Sequence, residues 1–260
     1  GAVTQPLDLS VVIVAHNCRE HLAGCLASLI DGGLAGLTAE VIVVDNGSAD
    51  GAAGEVAARW PAAHLIALPA NLGFAAAANR GCAGAAGRHL WLLNPDTRVP
   101  PGTGRRLVAC LDAHPACSAA GPALVDAAGV PDPRAARGCP TVATELLEQA
   151  GLPRLAERLL RLPLPPAGEP TVPLLSGAGL CVRSEAWRAA GGVDEAFFLY
   201  CEDVDLCCRL RAAGWELRFC PDAPLVHHGG GSSVACQEWA GRQAVLSKLR
   251  LFRKHRGRLA

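Results

Sequence analysis

Four short apolar runs within the first 93 residues constrain the fold more than any other feature of this chain. The first run, LSVVIVA, is continuous and rich in β-branched residues, which is typical of a strand buried on both faces. Helical spacing follows most of the runs, and the connections are long enough for parallel crossovers. We therefore predict a doubly wound, mostly parallel α/β sheet in a single domain. The predicted strands are residues 9–15, 41–44, 64–68 and 89–93, and the predicted helices are residues 20–30, 74–85 and 104–113.

Polar residues follow each of the four predicted strands. They are Asn17, Asp45, Asn71 and the neighbouring Asn94 and Asp96. One such residue would mean little, because turns use Asn and Asp for local hydrogen bonds. Ligands of doubly wound sheets, however, bind beyond the carboxyl ends of the strands. Four polar strand ends in succession therefore predict a lined crevice at that edge of the sheet.

Neither of the two common glycine-rich phosphate loops is present. The segment at the first strand, VIVAHNCRE, lacks G-x-G-x-x-G, and the chain contains no G-x-x-x-x-G-K-[ST]. A dehydrogenase is therefore not predicted, and the crevice must bind phosphates in another way. Asp96 offers a metal-assisted route, because Mg²⁺ sites commonly combine one or two carboxylates with substrate phosphate oxygens.

Residues 191–215, GGVDEAFFLYCEDVDLCCRLRAAGW, concentrate carboxylates around an apolar run. Asp194 and Glu195 precede the run, Glu202 and Asp203 follow it, and a helical pattern comes next. This arrangement predicts a carboxylate cluster at the edge of a pocket. Helix capping is the alternative, because the helix dipole favours acids in a first turn.

The second half of the chain is less regular. Residues 130–173 hold nine of the nineteen prolines, and they predict a mobile, partly helical insertion over the crevice or an excursion with no role in binding. We expect a main domain over residues 1–235 and a basic amphipathic helix over residues 236–260. Within these bounds, strands are predicted at 174–182, 215–219 and 225–226, and helices at 184–190 and 234–255.

The end of the chain, KLRLFRKHRGR, is basic, and apolar residues recur beside and within it at helical spacing. This apolar stripe consists of Val245, Leu246, Leu249 and Phe252. A basic helix with one apolar stripe can lie on an anionic bilayer. The alternative is that the stripe packs on the sheet. We therefore leave two predictions open for this helix, peripheral contact with the membrane and packing within the protein.

The overall composition excludes several classes of protein. Lys and Arg balance Asp and Glu at 24 each, so the chain is not predicted to bind nucleic acid. No apolar run reaches the roughly 18 residues of a membrane span, and the first ten residues do not resemble a signal peptide. The twelve cysteines contain no C-x-x-C pair, and most are expected to act as small buried hydrophobic residues. We therefore expect a cytoplasmic protein, in peripheral contact at most with the inner face of the cell membrane.

Seven motifs between residues 9 and 235 together resemble one known family. In order they are SVVIVAHN, VIVVDNGSADG, NLGFAAAANRG, LNPDT, SGAGLCVRSEAW, the acidic segment above and VHHGGGSS. This set is similar to the family-two glycosyltransferases with the GT-A fold, in particular the rhamnosyltransferase-like branch. The resemblance implies transfer of a sugar from a nucleoside diphosphate donor to an acceptor hydroxyl, with inversion at the anomeric carbon and usually Mg²⁺ or Mn²⁺.

The resemblance also implies roles for single residues on the substrate side. Asp203 corresponds to the catalytic base, and Asp45 to the acid that contacts the nucleotide base or ribose. Glu202 and Asn17 are expected to bind substrate. Asn71 matches a position that either binds substrate or only shapes its loop.

A second group of residues is expected to bind the metal and the diphosphate. The triplet NPD occupies the place of the family's D-x-D motif, with Asn94 instead of the first acid. Asp96 would then bind the metal, and Asn94 would assist it. His227 is expected to meet the metal or the diphosphate, with His228 as the adjacent alternative. Backbone amides of residues 229–231 could receive phosphate oxygens.

The sequence does not determine the sugar donor or the acceptor. L-Rhamnose from dTDP-rhamnose is the first choice by resemblance, beside galactofuranose, glucose and N-acetylated sugars. The acceptor is a polyprenyl-diphosphate-linked saccharide, a growing polysaccharide or a small glycoside, in the synthesis of cell-envelope polysaccharide or glycolipid. Two other functions remain as alternatives, a catalytically silent sugar-nucleotide-binding subunit and a nucleotidyltransferase of similar fold.

Overall fold

A computed structural model of the protein describes residues 7–162, 168–229 and 237–255. Eight strands of this part form one sheet in the order β3-β2-β1-β4-β9-β6-β10-β5, and two form a small second sheet. Four of the seven pairings in the large sheet are parallel. The strands are β1 (Leu7–Ala15), β2 (Ala39–Asn46), β3 (His64–Leu68), β4 (Gly87–Leu93), β5 (Thr97–Arg98), β6 (Cys117–Val125), β7 (Ala136–Arg137), β8 (Leu174–Leu175), β9 (Gly179–Arg183) and β10 (Glu216–His227).

Helices connect most of these strands. The helix α3 packs on β1 and β2, and α4 packs on β6 and β10. Among the described helices, none combines the length and the apolarity that crossing a bilayer requires. The helices are α1 (Arg19–Ser28), α2 (Ala52–Arg59), α3 (Phe74–Ala83), α4 (Thr103–Ala113), α5 (Val142–Gln149), α6 (Pro153–Leu160), α7 (Ser184–Ala190), α8 (Glu202–Ala212) and α9 (Gln237–Lys254).

The central strand β1 is enclosed on both faces, as its continuous apolar sequence predicts. Val11, Val12 and Ile13 are almost completely buried. Each such side chain stabilises the folded state by about 1.5–3 kcal/mol through burial. Because β2 and β4 flank β1 in parallel, their carboxyl ends meet at one edge of the sheet. The predicted α/β sheet in a single domain is confirmed.

The strand predicted at 174–182 is wrong in its first half. Leu174 and Leu175 pair with β7 in the small sheet, whereas β9 joins the large sheet antiparallel to β4 and β6. Between them the backbone leaves both ladders, because the amide of Gly177 donates to the Asp203 carboxylate at 2.8 Å. The sequence pattern gave no sign of this side-chain partner.

The two strands predicted at 215–219 and 225–226 are one strand, β10. It runs parallel to β6 along its whole length, and the register shifts between Cys220 and Pro224. This bulge accommodates Pro221 and Pro224, which cannot donate to a ladder. Local composition therefore suggested an interruption where the strand only bends.

One helix was missed by the sequence prediction, and the helical pattern of the insertion was found. The helix α2 was not predicted, because its AAGEVAAR sequence is short and largely Ala and Gly. The helical pattern of the Pro-rich insertion is confirmed by α5 and α6. Its mobility and its position over the crevice stay predictions, and residues 163–167 lie outside the described part.

The last helix, α9, packs against the segment that precedes α8. The Ser247 hydroxyl donates to the carbonyl of Leu199 at 2.8 Å, and Trp239 meets Phe198 edge to face with 5.4 Å between ring centroids. Leu251 is buried in the core. Phe252 packs against the core as well, so it does not belong to the exposed stripe that was predicted.

Candidate active site

The loop after β1 is fixed to the loop after β2. The side-chain oxygen of Asn17 accepts from the amide of Ala49 at 2.8 Å, and the Asn17 amide donates to the Ser48 hydroxyl at 3.0 Å. Asn17 is exposed and adopts a φ of 49°, in the left-handed region that Asn tolerates better than most residues. The structure therefore places Asn17 at the predicted edge of the sheet. Its side-chain oxygen already accepts the hydrogen bond from the backbone amide of Ala49.

The end of β2 supplies two buried polar residues. Asp45 is 5% exposed and accepts from the amide of Ser48. Asn46 donates to the side-chain oxygen of Asn71 at 3.0 Å and accepts from the amide of Leu72 at 2.9 Å. The Asn71 oxygen also accepts from the amide of Gly73. Asn71 and Asn46 thus shape this loop together. The sequence prediction did not assign a role to Asn46.

Asp96 and His227 lie next to each other. The two-residue strand β5 pairs with the end of β10 and sets His227 opposite Thr97. The distance between an Asp96 carboxylate oxygen and Nε2 of His227 is 3.4 Å, and both side chains are largely buried. His228 instead uses its backbone amide on the Asp96 carbonyl, and its ring lies 6.1 Å from that of His21. Of the two histidines, His227 is the one that faces Asp96.

This pair fits a divalent cation. Two ligand atoms at right angles on Mg²⁺ lie about 3 Å apart, close to the spacing between Asp96 and His227. The carboxylate of Asp96 suits Mg²⁺ and Mn²⁺ alike, and the imidazole of His227 offers a second donor atom. Of the backbone nest predicted at 229–231, residues 230 and 231 lie outside the described part.

Asp203 is anchored by backbone amides at the start of α8. One carboxylate oxygen accepts from the amide of Gly177 at 2.8 Å, and the other from the amide of Val204 at 2.8 Å. A β-carbon on Gly177 would lie 3.0 Å from that of Asp203, so a larger residue would push Asp203 away by a few tenths of an ångström. Asp203 remains partly exposed. The carboxylate is therefore held in place at its helix terminus without being sealed from the crevice.

The turn before α8 is strained. Tyr200 and Cys201 have φ values of 70° and 66°, which are rare for residues other than glycine and cost on the order of 1–3 kcal/mol each. The turn is held at two points. The amide of Phe74 donates to the carbonyl of Phe198, and Ser247 holds the carbonyl of Leu199. Strain of this kind is concentrated at functional sites.

Glu202 differs sharply from its neighbour Asp203. It is 8% exposed, and its Oε2 has no hydrogen-bond partner among the described residues. Burial and, second, the negative charge of Asp203 raise the pKa of Glu202 to about 8. Burial therefore favours the protonated form of Glu202, which lowers the negative charge of the pair.

Backbone contacts join these groups into one site. The amide of Asn94 donates to the carbonyl of Ala178, next to the Gly177 that holds Asp203. Cys18 is buried near both Asp45 and Asp96, and burial, with added effects from these and other carboxylates, raises its pKa to about 12. The structure thus brings Asp203, Asn94 and Asp96 to one edge of the sheet, with Asp45 close by.

The other acids of the 191–215 segment have structural partners. Asp194 binds Lys254, and Glu195 accepts from Asn79. Asp205 is fully buried and binds Arg209, Lys254 and His255 at 2.7–2.8 Å. The predicted carboxylate cluster therefore consists of Glu202 and Asp203 alone. The other three acids are bound by basic side chains or by the side-chain amide of Asn79.

Two known protein families match most of this chain. Glycosyl transferase family 2 matches residues 10–156, and Glycosyl transferase family group 2 matches residues 163–244. The N-acetylglucosaminyl-diphospho-decaprenol L-rhamnosyltransferase of Mycobacterium tuberculosis is 34% identical over 247 residues, 86% of this chain and 77% of that protein. Rhamnosyltransferase WbbL of Escherichia coli is 38% identical over 53 residues, 20% of each chain.

Two solved structures share the fold. GalNAc-T7, crystallised with UDP, GalNAc and Mn²⁺, has a TM-score of 0.67 at 18% identity, over 85% of this chain and 43% of that one. The mannosyltransferase PcManGT from Pyrobaculum calidifontis, in complex with GDP-Man and Mn²⁺, has a TM-score of 0.64 at 18% identity, over 96% of this chain and 65% of that one. At these identities the likeness establishes the fold, which is that of GT-A glycosyltransferases.

Proposed function

Because the chain belongs to glycosyltransferase family 2, we propose that it transfers L-rhamnose from dTDP-rhamnose to a saccharide hydroxyl on a polyprenyl diphosphate, with inversion. The observation that carries the proposal is the anchored Asp203, set beside the neutral Glu202 and joined through residues 177–178 to the NPD triplet. The sugar and the acceptor are those that the name of the M. tuberculosis relative indicates, and dTDP is the nucleotide chosen by the sequence resemblance. The two alternatives that the sequence left open have no comparable support.

Asp203 is the proposed general base. An acceptor hydroxyl needs a carboxylate within hydrogen-bond reach as it attacks the anomeric carbon. The two backbone amides orient the Asp203 carboxylate, while its partial exposure leaves it open to a hydroxyl from the crevice. A single in-line displacement needs no second carboxylate as a nucleophile, and Glu202, protonated by burial, is not suited to that role.

Glu202 is proposed to bind substrate as a hydrogen-bond donor. Its protonated carboxyl can donate to a sugar or acceptor oxygen, which a carboxylate cannot do. With Glu202 neutral, Asp203 is the carboxylate of the pair that can accept the proton of the acceptor hydroxyl.

Asp96 and His227 are the residues proposed to hold Mn²⁺ or Mg²⁺ at the donor diphosphate, with Asn94 beside them. A cation held there would stabilise the charge that develops on the leaving nucleoside diphosphate. Both fold neighbours were crystallised with Mn²⁺, which supports a divalent cation at this position.

The nucleoside end of the donor is assigned to the ends of β1 to β3. Asp45 is proposed to contact the base or ribose, since it lies at the carboxyl end of the strand beside β1. The side-chain oxygens of Asn17 and Asn71 already accept hydrogen bonds from backbone amides. These two residues therefore contribute to donor binding mainly by shaping their loops.

Peripheral contact with the inner face of the cell membrane is proposed for the exposed side of α9. Val245, Leu246 and Leu249 are 47–58% exposed, and the side chain of Leu146 on the neighbouring α5 is 64% exposed. Lys248 joins these two helices through Glu145 and Glu148. Apolar residues beside basic ones favour an anionic lipid surface, which would bring the crevice near a polyprenyl-linked acceptor.

Vesicle co-sedimentation tests this contact. The wild-type chain and a Leu246→Ser/Leu249→Ser variant should differ in recovery with anionic vesicles and behave alike with neutral ones. Leu155→Ser/Leu159→Ser is the matched control, because it removes two exposed leucines from α6 instead. Equal, salt-independent recovery of all three proteins in the supernatant would exclude the contact.

A donor screen tests the proposed reaction. Release of nucleoside diphosphate should be fastest with dTDP-rhamnose and should need both Mn²⁺ or Mg²⁺ and an N-acetylglucosaminyl polyprenyl diphosphate acceptor. Turnover of another nucleotide sugar in place of dTDP-rhamnose would correct the donor and keep the reaction class. No release from any sugar nucleotide, with binding intact, would favour the silent subunit instead.

A further inference from the structure

Two cysteines that are distant in sequence meet beside an arginine. Cys139 lies in the loop between β7 and α5, and Cys208 lies on α8. The Cys208 thiol lies close enough to the Cys139 sulfur that each shifts the pKa of the other, in opposite directions. Arg211, one turn along α8, directs its guanidinium to the same sulfur at 3.4 Å. Cys139 is partly exposed, whereas Cys208 is 7% exposed.

The surroundings of Cys139 favour its thiolate. The hydrogen bond from Cys208 lowers the pKa of Cys139, and the positive charges of Arg211 and Arg137 add to this effect against the cost of burial. Thiolates beside cations, partly exposed and next to a second thiol, are the cysteines that oxidants attack first.

Other cysteines of the chain provide a contrast. Cys110 and Cys220 also contact each other, but both are at most 2% exposed and their charged neighbour is the Glu169 carboxylate, and the pKa of Cys220 is raised. Cys201 is partly exposed like Cys139, yet burial and the negative charges of Asp203 and Glu202 raise its pKa to about 12. Cys220 therefore has a neighbouring thiol and Cys201 is partly exposed, yet the pKa of each is raised rather than lowered.

We propose that Cys139 is a site of oxidation by hydroperoxides and that Cys208 converts the oxidised Cys139 into a disulfide. The Cys139 sulfur takes the distal oxygen of the peroxide, the O–O bond breaks, and the leaving oxygen is released as water or an alcohol. The sulfur is thereby oxidised to a sulfenic acid while the peroxide is reduced. The Cys208 sulfur then attacks this sulfur, the S–O bond breaks, and its proton departs with the hydroxyl as water.

The bond would tie the insertion to the helix that presents Glu202 and Asp203. Cys139 precedes α5 directly, and Cys208 lies on α8 well beyond its catalytic end. Neither sulfur belongs to the proposed base, metal or donor sites. The inference therefore stands independently of the donor and the acceptor.

Alkylation of the reduced wild-type protein tests the reactivity of Cys139 without any mutation. Cys139 should react with iodoacetamide at neutral pH faster than every other cysteine, including Cys201, as peptide mass mapping resolves. Arg211→Gln should raise the pH at which the alkylation rate of Cys139 reaches half of its maximum, because the thiolate is the reacting form and loses a neighbouring cation. A Cys139 rate no higher than that of Cys201 would overturn the proposal.

Peroxide treatment tests the disulfide. One equivalent of hydrogen peroxide should remove two hydrogen atoms from the intact mass and give a cross-linked peptide containing Cys139 and Cys208. Cys208→Ser should stop at a sulfenic acid that dimedone traps on Cys139, whereas Cys139→Ser should give neither product. Cys220→Ser is the matched control and should oxidise as wild type does. A cross-link between other cysteines, or dimedone on Cys208 instead of Cys139, would contradict the assignment.

Discussion

The two sides of the crevice are built in different ways. On the nucleotide side, at the ends of β1 to β3, neutral amides of Asn17, Asn46 and Asn71 fix the loops to one another. On the side of α8, a partly exposed carboxylate follows a strained turn, and a buried ion network at Asp205 connects this helix to α9. The hydrogen bonds between the loops of the first side span 25 to 32 positions, whereas those on the side of α8 span 26 to 50 positions and reach the last helix.

Asp203→Asn should have the largest effect, and it acts on the side of α8. Loss of the base should reduce turnover by about 10²–10⁴-fold, while the affinity for the nucleoside diphosphate stays nearly constant. Steady-state kinetics and calorimetry measure the two quantities. Asp194→Asn is the matched control, because Asp194 binds Lys254 rather than substrate, and it should keep near-normal turnover. Equal losses in both variants would mean that charge near α8, and not a base, is what turnover needs.

Asp205→Asn should affect stability rather than chemistry. The change leaves Arg209, Lys254 and His255 around a buried group that no longer carries a charge, and removal of one partner of a buried ion pair costs about 3–5 kcal/mol. Chemical denaturation measures this loss in the free energy of unfolding.

The same residue gives a pH dependence. Despite burial, hydrogen bonds from Lys254, His255 and Arg209 lower the pKa of Asp205 in the folded state. Its contribution to stability is therefore present above the ordinary pKa of about 3.9 and is lost as the pH falls through the lower folded value. The melting temperature of the wild type should fall more steeply in acid than that of Asp205→Asn. Parallel curves would show that Asp205 is not charged in the folded protein.

Asp96→Ala tests the centre of the site, where the two sides meet. Loss of the carboxylate should weaken metal-dependent binding of dTDP by about tenfold or more, which corresponds to about 1.4 kcal/mol. Titrations with and without Mn²⁺ isolate the metal's contribution. His227→Ala should act in the same direction, and His228→Ala should not, since His228 faces His21. Survival of the Mn²⁺ enhancement in Asp96→Ala would place the metal elsewhere.

Asn46→Ala, on the nucleotide side, should give the smallest effect on turnover. The amide of Leu72 and the Asn71 side chain would lose their partner, at a cost of about 1–3 kcal/mol in the free energy of unfolding. Donor affinity should fall with it, because the same loop lines the crevice, while turnover at saturating donor should change little. A large fall in turnover would mean that this loop takes part in the chemistry.

The sequence alone predicts much of the first side. Continuous apolar runs identify β1 to β4 because strands buried on both faces need them, and the polar residues that follow are placed by the parallel topology. The short α2 was missed because its residues are mainly small. The NPD triplet and His227 were found by resemblance, and their 3.4 Å contact depends on the pairing of β5 with β10.

The sequence alone predicts only part of the second side, at α8. Glu202 and Asp203 are adjacent in sequence, but their different environments follow from burial of one and backbone anchoring of the other. The roles of Asp194 and Asp205 could not be predicted, because their partners Lys254 and His255 come from the last helix. The break in the predicted 174–182 strand has the same cause, since a distant carboxylate binds its backbone.

The configuration of the product tests the central claim, that Asp203 serves as the base of a single displacement. The linkage formed from dTDP-rhamnose, or from the donor that the screen identifies, can be determined by NMR of the early product. We predict an anomeric configuration opposite to that of the donor. A product with the donor's own configuration would require two displacements or a different path, and it would contradict the account of the site given by Asp203 and Glu202.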